Sequence, residues 1–307
     1  METVGSRALG MGGAFVAVAN DSSATWWNPG GLADGPFLDI VLARAVTERT
    51  DALPASRDRA GWFALGTPPF GFSYYRLRAT DAQPQDPTAE GMAGRQRGVP
   101  VHSWSATQVG ATFVHSLLPG VHLGSTIKYV RGTVRSEHQD GPRTPADLLG
   151  LGEEFEGGAA DGRFDLDIGV LAAVGPVRLG GVVRNVREPE FGAGEYRLPR
   201  QVRVGAAVDI EKAGGPPLMI AVDADLRTYL AASGERRVVA VGAEEWLWAR
   251  RVGLRTGVRV NRVGAAERSV TGGVSVAIRS GLYLDAHVVR GGAPDERGWG
   301  AAARVSF

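Results

Sequence analysis

Apolar and polar residues alternate with a period of two along most of the chain, which is the pattern of β-strands with one apolar and one polar face. The clearest segment is 252–261, where Val252, Leu254 and Val258 alternate with Arg255 and Arg259. One face of such a strand suits lipid and the other suits water. The pattern predicts about fourteen strands, at 38–46, 60–67, 70–78, 105–115, 121–134, 164–172, 177–186, 201–210, 217–227, 236–247, 252–261, 268–279, 282–290 and 297–307.

The lengths of the strands and of the gaps between them predict how the strands are joined. Most of the strands are close to the roughly 9 to 11 residues that a tilted strand needs to cross a bilayer. Long gaps at 47–59, 79–104 and 135–162 alternate with short gaps at 68–69 and 175–176, and the contrast fades toward the C-terminus. Membrane barrels have long loops at one end and short turns at the other. We therefore expect an all-β fold, a transmembrane antiparallel β-barrel.

The polar faces of the strands carry charges of both signs. The paired carboxylates Asp165 with Asp167 and Asp223 with Asp225 are compatible with acid–base chemistry or a calcium site. Because arginines occupy comparable faces of other strands, the pattern favours charges that line a wet lumen. The predicted lumen charges are Asp165, Asp167, Arg203, Asp223, Asp225, Arg255, Arg259 and Arg304.

Composition narrows the class of protein. The 307 residues include 44 glycines and no cysteine, and the formal net charge is +1. No run of Lys and Arg is present, so we expect no nucleic-acid partner. No window approaches the ~18 consecutive apolar residues of a transmembrane helix. The segment after Met1 also lacks the pattern of a signal peptide, so we expect that the signal of an exported chain was removed or missed.

Motifs for catalysis are missing from the sequence. The five histidines have no metal-ligand spacing, and there is no nucleophile elbow, paired triad or cofactor-binding motif. The sequence therefore predicts a protein that is not an enzyme and that needs no metal and no cofactor.

Residues 6–33 lack the period-two pattern of the strands. They read SRALGMGGAFVAVANDSSATWWNPGGLA, with a cluster at Gly10, Gly12 and Gly13 and a turn at 28–31. The cluster is compatible with a phosphate-binding loop, but no strand precedes it and no Gly-Lys-Ser/Thr sequence follows it. The sequence therefore favours a packing role for these glycines over phosphate binding, and residues 6–33 are not expected to form a strand of the barrel.

This N-terminal segment resembles that of the FadL-like family, outer-membrane transporters of long-chain fatty acids and other hydrophobic compounds. The matching motifs are GMGGAF at 10–15, Asn20-Asp21 followed by Ala24, and NPGGL at 28–32, and looser echoes such as LPRQVRVGAAV and VGLRTGVRV span most of the chain. The resemblance implies a hatch at residues 1–35 that plugs a 14-stranded barrel formed by residues 36–307. The implied hatch or gating residues are Gly10, Gly12, Gly13, Phe15, Asn20, Asp21, Asn28 and Pro29.

The resemblance also implies passive transport of small hydrophobic molecules, fatty-acid-like or aromatic, across the outer membrane. Loops 79–104 and 135–162 are expected to capture the molecule and to pass it to the hatch-gated lumen. These loops are mostly polar; a short amphipathic helix after Thr144 is predicted either to capture a ligand or to cap the barrel. The possible ligand contacts are Trp26, Trp27, Leu148, Leu149, Leu151 and Phe155.

The tryptophans have simpler interpretations as well. Packing of the hatch against the barrel wall accounts for Trp26 and Trp27 without any ligand. An interfacial aromatic girdle is expected for tryptophans near predicted strand ends. These are Trp62, Trp104, Trp246, Trp248 and Trp299.

A second class of function stays open. Relatives with a similar N-terminus include TraF-like proteins and PorV-like barrels, and such a barrel docks a protein partner at its long loops while nothing passes through. Transport requires a contiguous apolar pocket beneath the loops, whereas docking requires a plugged polar lumen and an exposed patch.

The chain ends within its last predicted strand, at Phe307. A strand that ends on an aromatic residue is typical of one that closes a sheet. The resemblance implies that Phe307 is an assembly signal read by the barrel-assembly machinery. The expected location is the cell outer membrane of a Gram-negative envelope, with outer-membrane lipid around the barrel.

Overall fold

Fourteen antiparallel strands of the described part of the chain close into one barrel. The computed structural model describes residues 4–84, 98–155, 157, 160–192, 194, 196–231, 234–264, 267–292 and 296–307. The barrel strands are β1 (Asp39–Arg49), β2 (Ala55–Thr67), β3 (Phe70–Ala82), β4 (Val99–Leu118), β5 (Val121–Gln139), β6 (Asp161–Val174), β7 (Val177–Arg184), β10 (Gln201–Asp209), β11 (Leu218–Asp225), β14 (Val238–Leu247), β15 (Val252–Asn261), β16 (Arg268–Arg279), β17 (Leu282–Gly291) and β18 (Glu296–Ser306).

Each barrel strand pairs with its neighbours along the chain, and the last strand closes on the first. Asp39 pairs with Ser306 at one end of the β1–β18 ladder, and Arg49 pairs with Glu296 at the other end. This confirms the predicted all-β fold and its 14-stranded barrel.

The two ends of the barrel differ, and we call them the turn side and the loop side. The turn side carries both ends of the barrel chain and short connections such as Pro68-Pro69 and Gly175-Pro176. The loop side carries the helix α3 (Pro145–Glu154) and two small hairpins. The hairpins are β8 (Glu190–Phe191) with β9 (Tyr196–Arg197) and β12 (Tyr229–Ala231) with β13 (Gly234–Arg236).

Several strands extend further toward the loop side than the sequence pattern predicts. β4 was expected at 105–115 but runs from Val99 to Leu118, and β5 was expected at 121–134 but runs from Val121 to Gln139. The backbone ladder between them continues to the pair Val99 and Gln139. Outward residues beyond the apolar band need not be apolar, so the alternation fades while the hydrogen bonds continue.

The two faces of the wall have opposite character, as the alternation predicts. On β15, Leu254 and Val258 face outward and are 46% and 44% exposed, whereas Arg255 and Arg259 face the lumen and are buried. Apolar outer faces and polar inner faces are the pattern of membrane barrels. Among the helices that the structure describes, none is long and apolar enough to cross a membrane.

Residues 4–34 lie inside the barrel, and we call them the hatch. The hatch contains α1 (Ser6–Gly10), α2 (Ala24–Trp27) and a 3₁₀ helix (Pro29–Asp34). Asn28 caps the 3₁₀ helix, because its side chain accepts a hydrogen bond from the Gly30 N–H at 3.1 Å. Nearly every hatch residue is buried, so the main apolar core of the described chain lies between the hatch and the lumen wall.

Candidate functional site

A ring of glycines on the lumen wall seats the hatch. A Cβ atom on Gly169 would lie 2.2 Å from Asn28 Oδ1, and one on Gly257 would lie 2.2 Å from the Met11 carbonyl carbon. Only glycine therefore allows the hatch backbone to approach the wall this closely. The glycine ring consists of Gly124, Gly169, Gly180, Gly242, Gly257 and Gly273.

The predicted glycines of the hatch itself lie at this contact. Gly12 and Gly13 have φ angles of +70° and +84°, which favour glycine, and Gly10 lies against the backbone of Gly273. The Gly10 carbonyl accepts a hydrogen bond from Thr271 Oγ1 at 2.9 Å. These glycines therefore shape the hatch backbone to the wall.

The remaining predicted hatch residues form polar links within the hatch and to the barrel. Asn28 Nδ2 donates to the carbonyls of Val16 at 2.8 Å and Val170 at 2.9 Å, which ties the hatch to β6. The backbone N–H groups of Phe15 and Val16 both donate to Asp223 Oδ2 at 2.8 Å. Pro29 lies against Gly124 of the glycine ring.

Buried ion pairs join the hatch to the barrel wall at β14 and β15. Arg7 donates to both carboxylate oxygens of Glu244, at 2.8 and 2.5 Å, and Arg255 Nε donates to the same carboxylate at 2.7 Å. Arg7 also contacts the side chains of Asn20 at 2.6 Å and Asp21 at 3.2 Å. One glutamate thus holds two guanidinium groups, an arrangement that fixes Arg7 and the loop around Asn20.

The other predicted lumen charges are paired within the wall, and all of them are buried except Arg304, which is partly buried. Lys128 Nζ lies 2.6 Å from Asp167 and 3.2 Å from Asp165. Three further pairs are Arg203 with Asp225 at 2.7 Å, Arg259 with Glu296 at 2.6 Å, and Arg304 with Asp285 at 3.4 Å. The structure corrects the expectation of a wet lumen at this level, because the hatch fills it and the charges neutralise each other.

An open cleft of about 970 Å³ lies above the hatch on the loop side. Trp104 of β4 and Tyr196 of β9 form its floor, where their rings stack with centroids 4.5 Å apart and planes 20° apart. Pro199, Tyr229 and Leu230 line its apolar side. Burial raises the pKa of the Tyr196 hydroxyl, with the nearby carboxylates of Asp58 and Asp81 adding to the shift, so this floor stays uncharged.

A second, closed pocket of about 40 Å³ lies directly beneath this floor. Trp104 and Tyr196 line both spaces, and Trp26 of the hatch lines the lower pocket. The Arg184 guanidinium lies over the Trp26 ring, 4.8 Å from its centroid. A cavity of this size holds only a few waters, since each needs roughly 10–15 Å³ of such volume. The space inside the barrel therefore narrows sharply at the Trp104–Tyr196 floor.

The two hatch tryptophans have different environments. Trp26 lines the lower pocket, and its ring also packs on Tyr75, with the ring centroids 5.0 Å apart. Trp27 is 1% exposed, donates from Nε1 to the Val4 carbonyl at 2.9 Å and packs on Phe15. Packing within the hatch is therefore enough to explain Trp27, whereas Trp26 both packs on Tyr75 and lines a pocket.

The expected aromatic girdle is wrong for three of its members. Trp62, Trp104 and Trp246 lie on the lumen face of their strands, and the Arg255 guanidinium lies 5.7 Å from the centroid of the Trp246 ring. Trp248 and Trp299 are exposed at 73% and 54%. A period-two strand places alternate residues on opposite faces. Position near a strand end therefore does not decide which face a tryptophan occupies.

The helix α3 covers the outside of the wall instead of the barrel mouth. Leu148 and Leu149 are buried against Ala55, Ala82 and Val101, which lie on the outward faces of β2, β3 and β4. The structure corrects the expectation that this helix caps the barrel, and capture of a ligand by the helix stays a prediction. Leu151 of the same helix and Phe155, which follows its last residue, are half-buried.

The start of α3 is a capping box. Asp147 N–H donates to Thr144 Oγ1 at 3.2 Å, and Thr144 N–H donates to Asp147 at 3.1 Å. The Thr144 hydroxyl and N–H hold the pKa of the exposed Asp147 carboxyl below its usual range. Residues 85–97, 156, 158 and 159 of the predicted capture loops lie outside the described residues.

Sequence reasoning missed several residues that the structure brings to the lumen. Lys128 and Glu244 lie on the polar faces of predicted strands, so the alternation contains the signal for them. The sequence pattern places Glu296 in the gap before the strand 297–307, whereas the structure begins β18 at Glu296 and buries its side chain. Tyr196 has no such signal, because it belongs to a two-residue strand inside a loop. Among the described residues, no group of three or more His, Asp or Glu side chains is placed to hold a metal ion.

Together these features define a class of protein, a closed 14-stranded transmembrane barrel whose lumen is filled by the N-terminal segment of its own chain. No protein-family model matches the sequence, and no curated protein sequence matches it.

Solved structures show where this fold occurs. The chain is similar to the Ralstonia pickettii toluene transporter TbuX, with 14% identity, a TM-score of 0.68, and coverage of 100% of this chain and 99% of that one. It is similar to the CymD monoaromatic hydrocarbon channel at 11% identity and a TM-score of 0.70, over 99% and 98% of the two chains. It is also similar to a Pseudomonas aeruginosa FadL homologue at 10% identity and a TM-score of 0.68, over 100% of this chain and 99% of that one. The fold is that of FadL-type barrels, as the N-terminal motifs predict.

Proposed function

We propose that this protein is an outer-membrane channel for small, uncharged hydrophobic molecules, with the hatch as its lower closure. One observation carries the proposal: the open cleft and the closed pocket share an aromatic floor, and the pocket ends on a tryptophan of the hatch. The cleft has the volume of a typical ligand site, about 300–1,000 Å³. The similar structures named for toluene and monoaromatic hydrocarbons point to a small aromatic molecule of this kind.

The proposed path has three steps. A hydrophobic molecule first enters the cleft from the loop side and lies on the stacked rings of Trp104 and Tyr196. Separation of these rings then opens the way to Trp26. Because the lower pocket is only about 40 Å³, the hatch must also shift before a molecule passes further. Diffusion down a concentration gradient supplies the driving force.

Uptake of toluene into vesicles that contain the purified barrel tests this proposal. Trp104→Ala removes half of the floor, so we expect it to change the rate of uptake several-fold. Trp299→Ala is the matched control, because Trp299 faces outward and is 54% exposed. Vesicles with the barrel that take up toluene no faster than empty vesicles would contradict the proposal.

A docking barrel is the second candidate, and the filled lumen favours it. The hatch is buried on all sides and its level of the lumen is closed by ion pairs, which fits a barrel through which nothing passes. In that case the cleft of about 970 Å³ receives a side chain or a segment of a protein partner at the loops. Docking is favoured over transport if vesicles with the parent barrel take up no toluene and the Trp104→Ala variant leaves the uptake rate unchanged.

A further inference from the structure

The outer face of β1–β5 carries arginines beside its apolar band. Arg44 of β1 pairs with Gly61 of β2, which pairs with Arg76 of β3. The same row continues from Arg76 to Thr107 of β4 and then to Arg131 of β5. Since neighbouring strands lie about 4.8 Å apart, the three exposed arginines of this row are spaced roughly 10 Å apart.

Each of these arginines borders the apolar band directly. Two residues closer to the turn side on the same strands lie Leu42, Tyr74 and Tyr129, which are 65%, 40% and 41% exposed. The arginines therefore stand where an apolar outer face meets a polar one, which is the depth of lipid headgroups in a membrane barrel.

A second row, one pair closer to the loop side, is partly neutralised. Arg59 pairs with Arg78 across β2 and β3. Arg59 Nε lies 2.8 Å from Glu153 of α3, and Arg78 donates to the Glu153 carbonyl. By contrast, Arg44, Arg76 and Arg131 make no ion pair or hydrogen bond with a side chain among the described residues.

Two adjoining grooves on this outer face have complementary chemistry. One groove of about 730 Å³ is lined by the arginines of both rows and by the hydroxyl residues Ser105 and Thr107. The other, of about 570 Å³, is almost wholly apolar and is lined mainly by Leu42, Phe63, Tyr74, Leu284, Ala301 and Ala303. Arg44, Gly61 and Arg76 line both grooves, so the polar space continues into the apolar one.

We propose that these grooves bind one anionic lipid of the membrane, with its phosphorylated headgroup in the groove lined by Arg44, Arg76 and Arg131 and an acyl chain along Ala301 and Ala303. Guanidinium groups bind phosphate oxygens in pairs, and the small residues Gly61, Ala301 and Ala303 leave room for the chain. Arginines on a lipid-facing surface are costly unless an anion or water reaches them. This site is separate from the lumen and does not depend on transport.

Native mass spectrometry of the purified barrel in a neutral detergent tests the proposal. Dioleoylphosphatidylglycerol is the probe, and dioleoylphosphatidylcholine has the same chains with a neutral headgroup. The barrel is expected to retain phosphatidylglycerol at concentrations where phosphatidylcholine is lost. The triple variant Arg44→Gln, Arg76→Gln and Arg131→Gln is expected to bind phosphatidylglycerol roughly 10- to 100-fold more weakly.

A matched control is available on the opposite side of the β1–β18 seam. Arg268, Arg290 and Arg297 are exposed, outward-facing arginines of β16, β17 and β18. Their triple replacement by Gln removes the same charge and is expected to leave phosphatidylglycerol binding unchanged. Equal loss in both triple variants, or equal retention of the two lipids, would overturn the proposal.

Two further measurements keep the test decisive. Ala301→Trp fills the apolar groove and keeps every arginine, so it tests the site even where the triple variant fails to fold; it is expected to weaken lipid binding, and unchanged binding would count against the acyl-chain position. Inorganic phosphate is titrated against bound phosphatidylglycerol. Displacement by phosphate at concentrations equal to the lipid's would identify a free-anion site and overturn the lipid assignment.

Discussion

The lumen closes at two levels by different means. At the level of the hatch, the backbone of residues 4–34 lies directly on the glycine ring, and Glu244 holds Arg7 and Arg255. At the level of the cleft, two stacked rings, Trp104 and Tyr196, form the closure. For the proposed channel, rotation of two side chains is enough to separate the rings, whereas clearing the hatch requires a whole backbone segment to move. We therefore expect the aromatic floor to open more readily than the hatch.

The largest effect is expected from a side chain placed in the glycine ring. Gly257→Leu puts a branched side chain where a Cβ alone would lie 2.2 Å from the Met11 carbonyl carbon, so the hatch leaves its seat. We expect a large increase of single-channel conductance in planar bilayers. Gly272→Leu is the control, since the nearest atom to its Cβ position is 3.9 Å away. Equal conductance in both variants would show that the glycine ring does not hold the hatch.

The next largest effect separates the two hatch tryptophans. Trp27→Ala removes a fully packed ring and its bond to the Val4 carbonyl, so we expect unfolding of the barrel to become easier by about 3–5 kcal/mol. Trp26→Ala enlarges the lower pocket and is expected to cost less stability but to change toluene uptake more. Urea unfolding in vesicles and the uptake assay measure the two effects. The reverse ranking would refute the assignment of Trp27 to packing.

A smaller effect is expected from Glu244, the buried carboxylate of the wall that binds Arg7 of the hatch. Glu244→Gln leaves Arg7 and Arg255 without their shared anion, which destabilises the folded barrel by about 3 kcal/mol. Glu211→Gln breaks the exposed pair with Arg250 and is expected to cost about 0–1 kcal/mol. The same urea titration compares the two variants. A similar loss in the free energy of unfolding for both would mean that the ion pairs of Glu244 are as hydrated as the exposed pair of Glu211 with Arg250.

The smallest expected effect concerns pH: toluene binding to the cleft is not expected to depend on it. Burial raises the pKa of the Tyr196 phenol above its usual value of about 10, so the neutral form persists in the folded protein. Toluene binding to the cleft is expected to stay constant from pH 7 to about 10, and Tyr196→Phe is expected to give the same profile. A loss of binding in the parent between pH 9 and 10 that is missing in Tyr196→Phe would contradict this.

Part of the candidate site was predictable from local sequence. Alternation placed Arg255, Arg259 and Asp223 on lumen faces, and the motif around Gly10 and Asn28 marked the hatch. Alternation assigns a residue to a face but does not say what lies opposite it. Lys128 and Glu244 were missed as partners for that reason, and the wet lumen was expected because the volume of the hatch does not appear in any strand pattern.

The sequence by itself determined the barrel, since a period-two pattern in strands of bilayer length has only one closed arrangement that satisfies all backbone hydrogen bonds in lipid. Only the tertiary structure decided how the lumen is closed and where α3 lies. The Trp104–Tyr196 floor joins β4 to a loop hairpin 92 residues further along the chain, and α3 packs outside the wall on Ala55, Ala82 and Val101. Contacts between residues so distant in the chain follow from the closure and size of the barrel, which local pattern does not encode.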